Sequence, residues 1–208
     1  NENLMAFSNH TYYNGEVVTF PSCNTAISGI EYIYVEDGCY DRGGKKTNLQ
    51  EAERVISKVR EIYEQLPDDT TETVGIITLN AAQRDLIQSR LLSCSSERGA
   101  FAKKVDELVY VMNLEACQGK EWDHVLLSFG YGPDKNGHFM NNFGPLGNDD
   151  GGNRLNVMIT RARKHMYVVT SMKPEMLGTE VSGGAKNLKD FLAFARGNYT
   201  FDQRTTNT

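Results

Sequence analysis

Several things are scarce or missing in these 208 residues. No apolar run approaches the length of a bilayer span and no secretory leader is visible, so a membrane partner is not expected. The 4 cysteines, Cys23, Cys39, Cys94 and Cys117, are scattered, with no pair at zinc-ligand spacing. They read as reduced thiols of a cytoplasmic protein, and no metal site is expected. Surplus positive charge is missing too. With 22 Lys and Arg against 27 Asp and Glu, the net charge of −5 argues against a free-standing, strongly basic nucleic-acid binder. A domain that contributes a few phosphate contacts to a larger groove remains compatible with it. Nucleotide fingerprints fail on inspection. Gly43-Gly44-Lys45-Lys46-Thr47 imitates a phosphate-binding P-loop, but the first glycine position is Cys39 and the hydroxyl position is Lys46. Phe129-Gly130-Tyr131-Gly132 is no dinucleotide fingerprint, because its third glycine position is Lys135. No acidic strand end suited to a metal is evident. The chain opens at Asn1 directly into patterned sequence, which reads as a piece of something longer.

What is present is an alternation of strands and helices. Residues 1–30 look irregular, with a helix end over Asn1–Asn9 and a turn at Tyr12-Tyr13-Asn14-Gly15. Ile30–Val35 reads as a strand by its β-branched and aromatic content. A helix over about 48–66 follows, with Asn48 as N-cap, Glu51 as its capping-box partner and Pro67 as its stop. Val74–Leu79 is a short buried strand and Ala81 to about Cys94 a helix. Residues 95–106 read as a polar connection. Val109–Leu114 and His124–Gly130 are the next strands, Met166–Ser171 the fifth, and Asn187–Arg196 a closing helix. Residues 198–208 look like a frayed tail. This spacing predicts an α/β fold, a parallel sheet covered by helices on both faces, with ligands beyond the carboxyl ends of the strands. The only tryptophan, Trp122, is expected in the core.

The stretch from Gly152 to Lys164 stands apart, with four cations (Arg154, Arg161, Arg163, Lys164) and no carboxylate. On a helix at about 100° per residue, Leu155, Met158, Ile159 and Ala162 share one arc of roughly 100°. Arg154 and Arg161, seven apart, then stack within about 20° along one edge of that arc. Asn156, Thr160 and Arg163 gather on the opposite edge. A Gly-, Asn- and Asp-rich loop from Tyr131 to Gly152 precedes it, long enough to suggest a functional segment.

Asn113-Leu114-Glu115-Ala116-Cys117-Gln118-Gly119-Lys120-Glu121-Trp122-Asp123, followed by an apolar strand, is similar to motif V of superfamily-1 helicases. Arg154-Leu155-Asn156-Val157-Met158-Ile159-Thr160-Arg161-Ala162-Arg163 resembles their motif VI. Ile76-Ile77-Thr78-Leu79-Asn80-Ala81-Ala82-Gln83 resembles the strand-and-glutamine segment that precedes both. The early Ala6-Phe7-Ser8-Asn9 and Thr19-Phe20-Pro21-Ser22 resemble the entry into the second RecA-like domain. The branch that contains the nonsense-decay helicase is the nearest match, and the likeness covers residues 1–197.

That resemblance implies a three-layer RecA-like domain over 1–197 and a tail over 198–208. It implies half an enzyme, since ATP and Mg2+ are held mainly by a first RecA-like domain not contained here. That domain, in the same protein, would be its partner. Arg161 matches the arginine finger, and Arg154 would support it or pair with a carboxylate of the first domain. Glu121 matches the motif V carboxylate near the nucleotide, and Gly119 allows close backbone approach there. On the nucleic-acid side, Thr78, Gln83, Asn113 and Gln118 are the candidate contacts to a single strand, DNA favoured over RNA. Asn113 stands where threonine is common, Glu115 where aspartate is, and Asn80 where tyrosine is frequent. The fragment alone is expected to be inactive. A degenerate RecA-like module kept for binding or scaffolding is the alternative.

Overall fold

The computed structural model describes residues 7, 8, 11, 29–95, 99–147 and 151–197. The turn expected at 12–15, the tail at 198–208, most of the early helix end and Cys23 lie outside them. Five strands form one wholly parallel sheet: β1 (Ile30–Tyr34), β2 (Val74–Thr78), β3 (Val109–Asn113), β4 (Trp122–Ser128) and β5 (Ala162–Thr170). Their order across it is β1-β5-β4-β2-β3. Helices α1 (Leu49–Gln65), α2 (Ala81–Ser95), α3 (Ala100–Leu108), α4 (Gly151–Ile159) and α5 (Gly183–Ala195) cover it. Single 3₁₀ turns lie at Leu114–Cys117, Gly144–Gly147 and Pro174–Leu177.

Side chains on a strand alternate between its two faces, and each face here has its own core. Ile77, Val125, Leu127, Met166 and Val168 meet Leu155, Met158, Leu188 and Phe191 of α4 and α5. Ile76, Leu126 and Val169 meet Val55, Val59, Ile62 and Ile87 of α1 and α2. With apolar residues on both faces, the strands cannot be half-exposed, so helices must close both sides. Each fully buried branched side chain contributes about 1.5–3 kcal/mol, enough to fix these faces against the entropy of ordering them. The expected α/β, RecA-like arrangement is thus the observed one.

Trp122 fills the core as expected. Its indole lies over Gly75 of β2, where an added Cβ would come within 2.3 Å of the ring, and 6.4 Å from Tyr110 of β3. Asn48 caps α1, accepting from the Glu51 amide at 3.1 Å. The Glu51 side chain does not return to the cap as a capping box would. It is fully buried and points to the ends of β4 and β5.

Other sequence expectations change as well. Residues 100–108 are helical rather than a polar connection, because Val105 is buried and Phe101 and Leu108 pack against the α1–α2 core. The buried Lys104 lays its stem along that helix and carries its ammonium toward Asp68 at 3.6 Å. The closing helix starts at Gly183, before the expected Asn187. The arginine-rich segment is helical only to Ile159, and β5 begins at Ala162 rather than Met166. There the sheet ladder outcompetes helix continuation: Ala162 pairs with Trp122, and the Trp122 amide donates to the Arg161 carbonyl at 3.1 Å. Arg154 and Arg161 therefore do not share one helical edge, and Arg163 lies on a strand.

Candidate functional site

The segment from the end of β3 to the start of β4 and helix α4 pack against one another on one face of the sheet. The 3₁₀ turn Leu114–Cys117 follows Asn113, and the chain then turns at Gly119, where φ is +75°. A left-handed backbone there favours glycine, and nothing lies within 4 Å of where a Cβ would sit. Gln118, Gly119, Lys120 and Glu121 are all exposed.

Arg161 sits in the turn between α4 and β5 and joins the two segments. Its Nε donates to the Val157 carbonyl at 2.8 Å, its Nη2 to the Thr160 hydroxyl at 2.9 Å, and its Nη1 to the Lys120 carbonyl at 3.2 Å. The last turn of a helix has carbonyls without amide partners, and the guanidinium and Thr160 supply donors to them. Thr160 donates back to the Asn156 or Val157 carbonyl, each 3.1 Å away. Two of the five guanidinium N–H groups thus lie outside these three bonds.

Arg154 pairs with Glu115 at 3.3 Å, inside this chain. Together with Gln118, Leu114, Asn153 and Val157 they line a cleft of about 350 Å³. Arg163 pairs with Glu121 at 3.2 Å. Both pairs are about half exposed, and such surface pairs contribute no more than about 1 kcal/mol. An incoming phosphate therefore faces little resistance in replacing Glu115 on Arg154. Among the described residues, no group of three His, Cys, Asp or Glu side chains is placed to hold a metal. The nitrogen donors of this face suit phosphate oxygens rather than a cation. Cys117 is no nucleophile candidate: burial pushes its thiol up, and its Sγ donates to the Leu114 carbonyl at 3.0 Å.

The nucleic-acid candidates divide into two sets. Asn113 is partly exposed at the end of β3, and Gln118 is exposed. Thr78 and Gln83 are fully buried. The Thr78 hydroxyl donates to the Asn80 carbonyl at 3.0 Å. Gln83 accepts from the Asn48 amide at 2.8 Å and donates to the Asn48 carbonyl at 3.0 Å and to Ser128 Oγ at 3.2 Å. Asn80 caps α2, accepting from the Gln83 amide at 2.7 Å.

Gln83 belongs to a closed ring of buried hydrogen bonds that sequence reasoning missed. Ser128 Oγ donates to Glu51 at 2.8 Å, and Ser171 donates to it from both its amide (3.2 Å) and its hydroxyl (3.3 Å). The Asn48 amide side chain closes the ring on Ser171 Oγ at 2.8 Å. Gly130 adds its backbone amide to Glu51 at 2.6 Å. Burial pushes the Glu51 carboxyl up to about 7, against the lowering effect of these donors. The ring ties the N-termini of α1 and α2 to the carboxyl ends of β4 and β5. A buried Gln three residues into a helix and an acid in the first turn of another were its visible signs.

The false P-loop explains itself. The Lys45 amide, which a phosphate would need, donates to the Asp41 carboxylate at 2.8 Å. An acid of the chain occupies the place of the anion.

Among the described residues, no helix is long and apolar enough to cross a membrane. The chain is 30% identical over 200 residues to an uncharacterized ATP-dependent helicase of Mycoplasma genitalium. It is 29% identical over 202 residues to the homologous helicase of Mycoplasma pneumoniae. Each match covers 92% of this chain and 17% of the relative, so the chain spans about a sixth of their length. Residues 1–173 match the model of the AAA_12 family, described as an AAA domain, and on that match the chain belongs to this superfamily-1 helicase-like family.

Proposed function

We propose that this chain is the second, C-terminal motor domain of an ATP-dependent superfamily-1 helicase or translocase of the nonsense-decay-helicase-like branch. The observation that carries the reading is the position of Arg161, braced by Val157 and Thr160 and touching the Lys120 carbonyl of the other motif-bearing segment. A guanidinium fixed by its own backbone is preorganised for charge that develops on a transferring phosphoryl group, which is where an arginine finger acts. ATP with Mg2+ would be bound mainly by an N-terminal RecA-like domain of the same cytoplasmic protein. Arg161 would meet the phosphates by giving up Lys120, Arg154 by giving up Glu115, and Glu121 would approach the nucleotide beside the Gly119 turn.

A single strand, preferably DNA, would run along the other end of this face and meet Asn113 and Gln118. Thr78 and Gln83 would act beneath it, holding the ends of β2 and α2 in place. The test is to compare ATP turnover by the 208-residue chain with turnover by the longer protein that contains it. The chain alone is expected to show none and the longer protein to hydrolyse ATP in the presence of single strands. Turnover by the chain alone, abolished by Arg161→Ala, contradicts the half-enzyme reading.

A further inference from the structure

Outside the helicase-like motifs, one loop concentrates positive charge that makes no ion pair among the described residues. Between β1 and α1, residues 41–47 form a tight turn built on Asp41. Its carbonyl accepts from the amides of Gly44 at 3.3 Å and Lys46 at 2.9 Å, and its own amide donates to the Thr47 carbonyl at 2.9 Å. With the Lys45 amide on its carboxylate, Asp41 is consumed in shaping the loop. Arg42, Lys45 and Lys46 have no carboxylate within ion-pair distance among the described residues, whereas Arg54, Lys58, Arg90, Arg154 and Arg163 each do. Asp134 feels the charge of Arg42, but its Oδ1 accepts from the amides of Asn136 and His138, and its Oδ2 lies 3.8 Å from His138 Nδ1. In a chain with more acids than bases, three cations of one loop make no ion pair among the described residues: Arg42 lies over the Tyr40 ring, 5.9 Å from its centroid, and Lys45 and Lys46 are exposed to whatever lies outside the fold.

The backbone adds a second observation. Lys46 has φ of 57°, the one non-glycine residue in the left-handed region among those described. Glycine adopts that backbone without strain, so a lysine there keeps a cation at a conformational cost. The loop borders a hollow of about 270 Å³ lined by Tyr40, Arg42, Lys46, Tyr131, Met140 and Asn142. It is tied to the carboxyl edge of the sheet, where the Tyr40 amide donates to the Pro133 carbonyl, just beyond β4, at 2.8 Å. Asn113 ends β3, two places from β4 in the sheet, about 10 Å away at the usual strand spacing.

We propose that Arg42, Lys45 and Lys46 form a phosphate-binding loop that grips the sugar-phosphate backbone of a single-stranded nucleic acid along the carboxyl edge of the sheet. The inference rests on the nucleic-acid reading above and adds residues that none of the helicase-like motifs contains. Phosphodiester oxygens are acceptors, and these side chains carry only donors. Tyr40 and Tyr131 are only 9% and 8% exposed, and Arg42 lies over the Tyr40 ring, so the site offers bases no open face to stack on. Binding here is electrostatic and indifferent to sequence.

The test is fluorescence anisotropy of labelled oligothymidylate with the 208-residue chain across a salt series. It compares the wild type, the triple variant Arg42→Ala/Lys45→Ala/Lys46→Gly, and a charge-matched control, Arg90→Ala/Lys103→Ala/Lys186→Ala. Lys46→Gly relieves the backbone at that position, so thermal melting of the triple variant should show an intact fold. Each lost phosphate contact flattens the slope of log affinity against log salt by about 0.7, so the triple variant should lose about 2 while the control keeps the wild-type slope. A triple-variant slope within about 0.5 of wild type, or an equal loss in the control, overturns the proposal. So does displacement of the oligonucleotide from the wild type by inorganic pyrophosphate at matched phosphate concentration, which would mark a nucleotide site. Absence of any binding by the wild type overturns the nucleic-acid reading and this loop together; binding with an unchanged slope overturns the loop alone.

Discussion

The guanidinium of Arg161 donates to the main-chain carbonyl of Lys120 at 3.2 Å, so the turn that ends α4 is tied directly to the turn that begins β4. Movement of either turn is felt by the other. Thr160 sets the angle of this link, because its hydroxyl accepts from Arg161 Nη2 at 2.9 Å. Thr160→Val keeps the shape and removes the acceptor. In the longer protein it should lower kcat about tenfold, the worth of one hydrogen bond to a charged group, with KM for ATP nearly unchanged. Thr160→Ser should restore turnover. Steady-state ATPase assays check this, and equal kcat for the valine and wild-type proteins would remove Thr160 from the site.

Gln83 distinguishes a frame from a contact. Gln83→Ala strips partners from the buried Asn48 amide and carbonyl and from Ser128 Oγ, so it should destabilise the domain by about 3 kcal/mol. Affinity of the folded domain for oligonucleotides should not change. Urea unfolding measures the first quantity and anisotropy the second. A stability loss below about 1 kcal/mol together with weakened binding would return Gln83 to the groove.

Much of this was legible in the sequence, and the limits have physical causes. The strand–helix alternation was readable because β2, β4 and the second half of β5, from Met166 on, are apolar on both faces, a pattern that only a covered parallel sheet satisfies. Trp122 was readable as core because it sits among motif residues beside an apolar strand. Helix α3 was not, since its lysines mask an apolar stripe whose Lys104 lays its stem along the helix surface. The end of α4 was misplaced because a helical period continues through Ala162, while the ladder to Trp122 claims that backbone. The ring around Glu51 was hidden by distance: its bonds join residues 35 to 123 positions apart, and no local pattern encodes such pairs. Of the candidate site, Gln118 and Gly119 lie on the turn beyond β3 where motif matching put them, whereas Arg161, expected on the helix, lies in the turn after it. The Arg154–Glu115 and Arg163–Glu121 pairs needed the folded chain.

Glu51 gives the domain a pH dependence with a definite sign. Its folded-state carboxyl is pushed up to about 7 from 4.5, first by burial. The folded state therefore holds the proton more tightly than the unfolded chain. Stability from this group is complete below about 4.5 and is lost as pH rises through about 7. Between about pH 5 and about pH 8 the wild type should lose about 3 kcal/mol more than Glu51→Gln. The variant should be less stable throughout, since an amide offers one acceptor oxygen where the carboxylate offers two, but flatter. Chemical unfolding at a series of pH values reads the difference. Parallel curves for the two proteins would show that Glu51 does not titrate in this range.

The most direct measurement is steady-state ATP hydrolysis by the longer protein with and without Arg161→Ala. Other variants perturb the support of the guanidinium, and this one removes it. Arg161 contacts Val157, Thr160 and Lys120 through its own side chain, so the alanine leaves the two turns connected by the Trp122 amide bond to the residue-161 carbonyl. Arginine fingers contribute about 10³-fold or more to turnover. The account predicts a fall of kcat on that scale with little weakening of ATP binding and a milder effect of Arg154→Ala. A loss of less than about fivefold in kcat would contradict it.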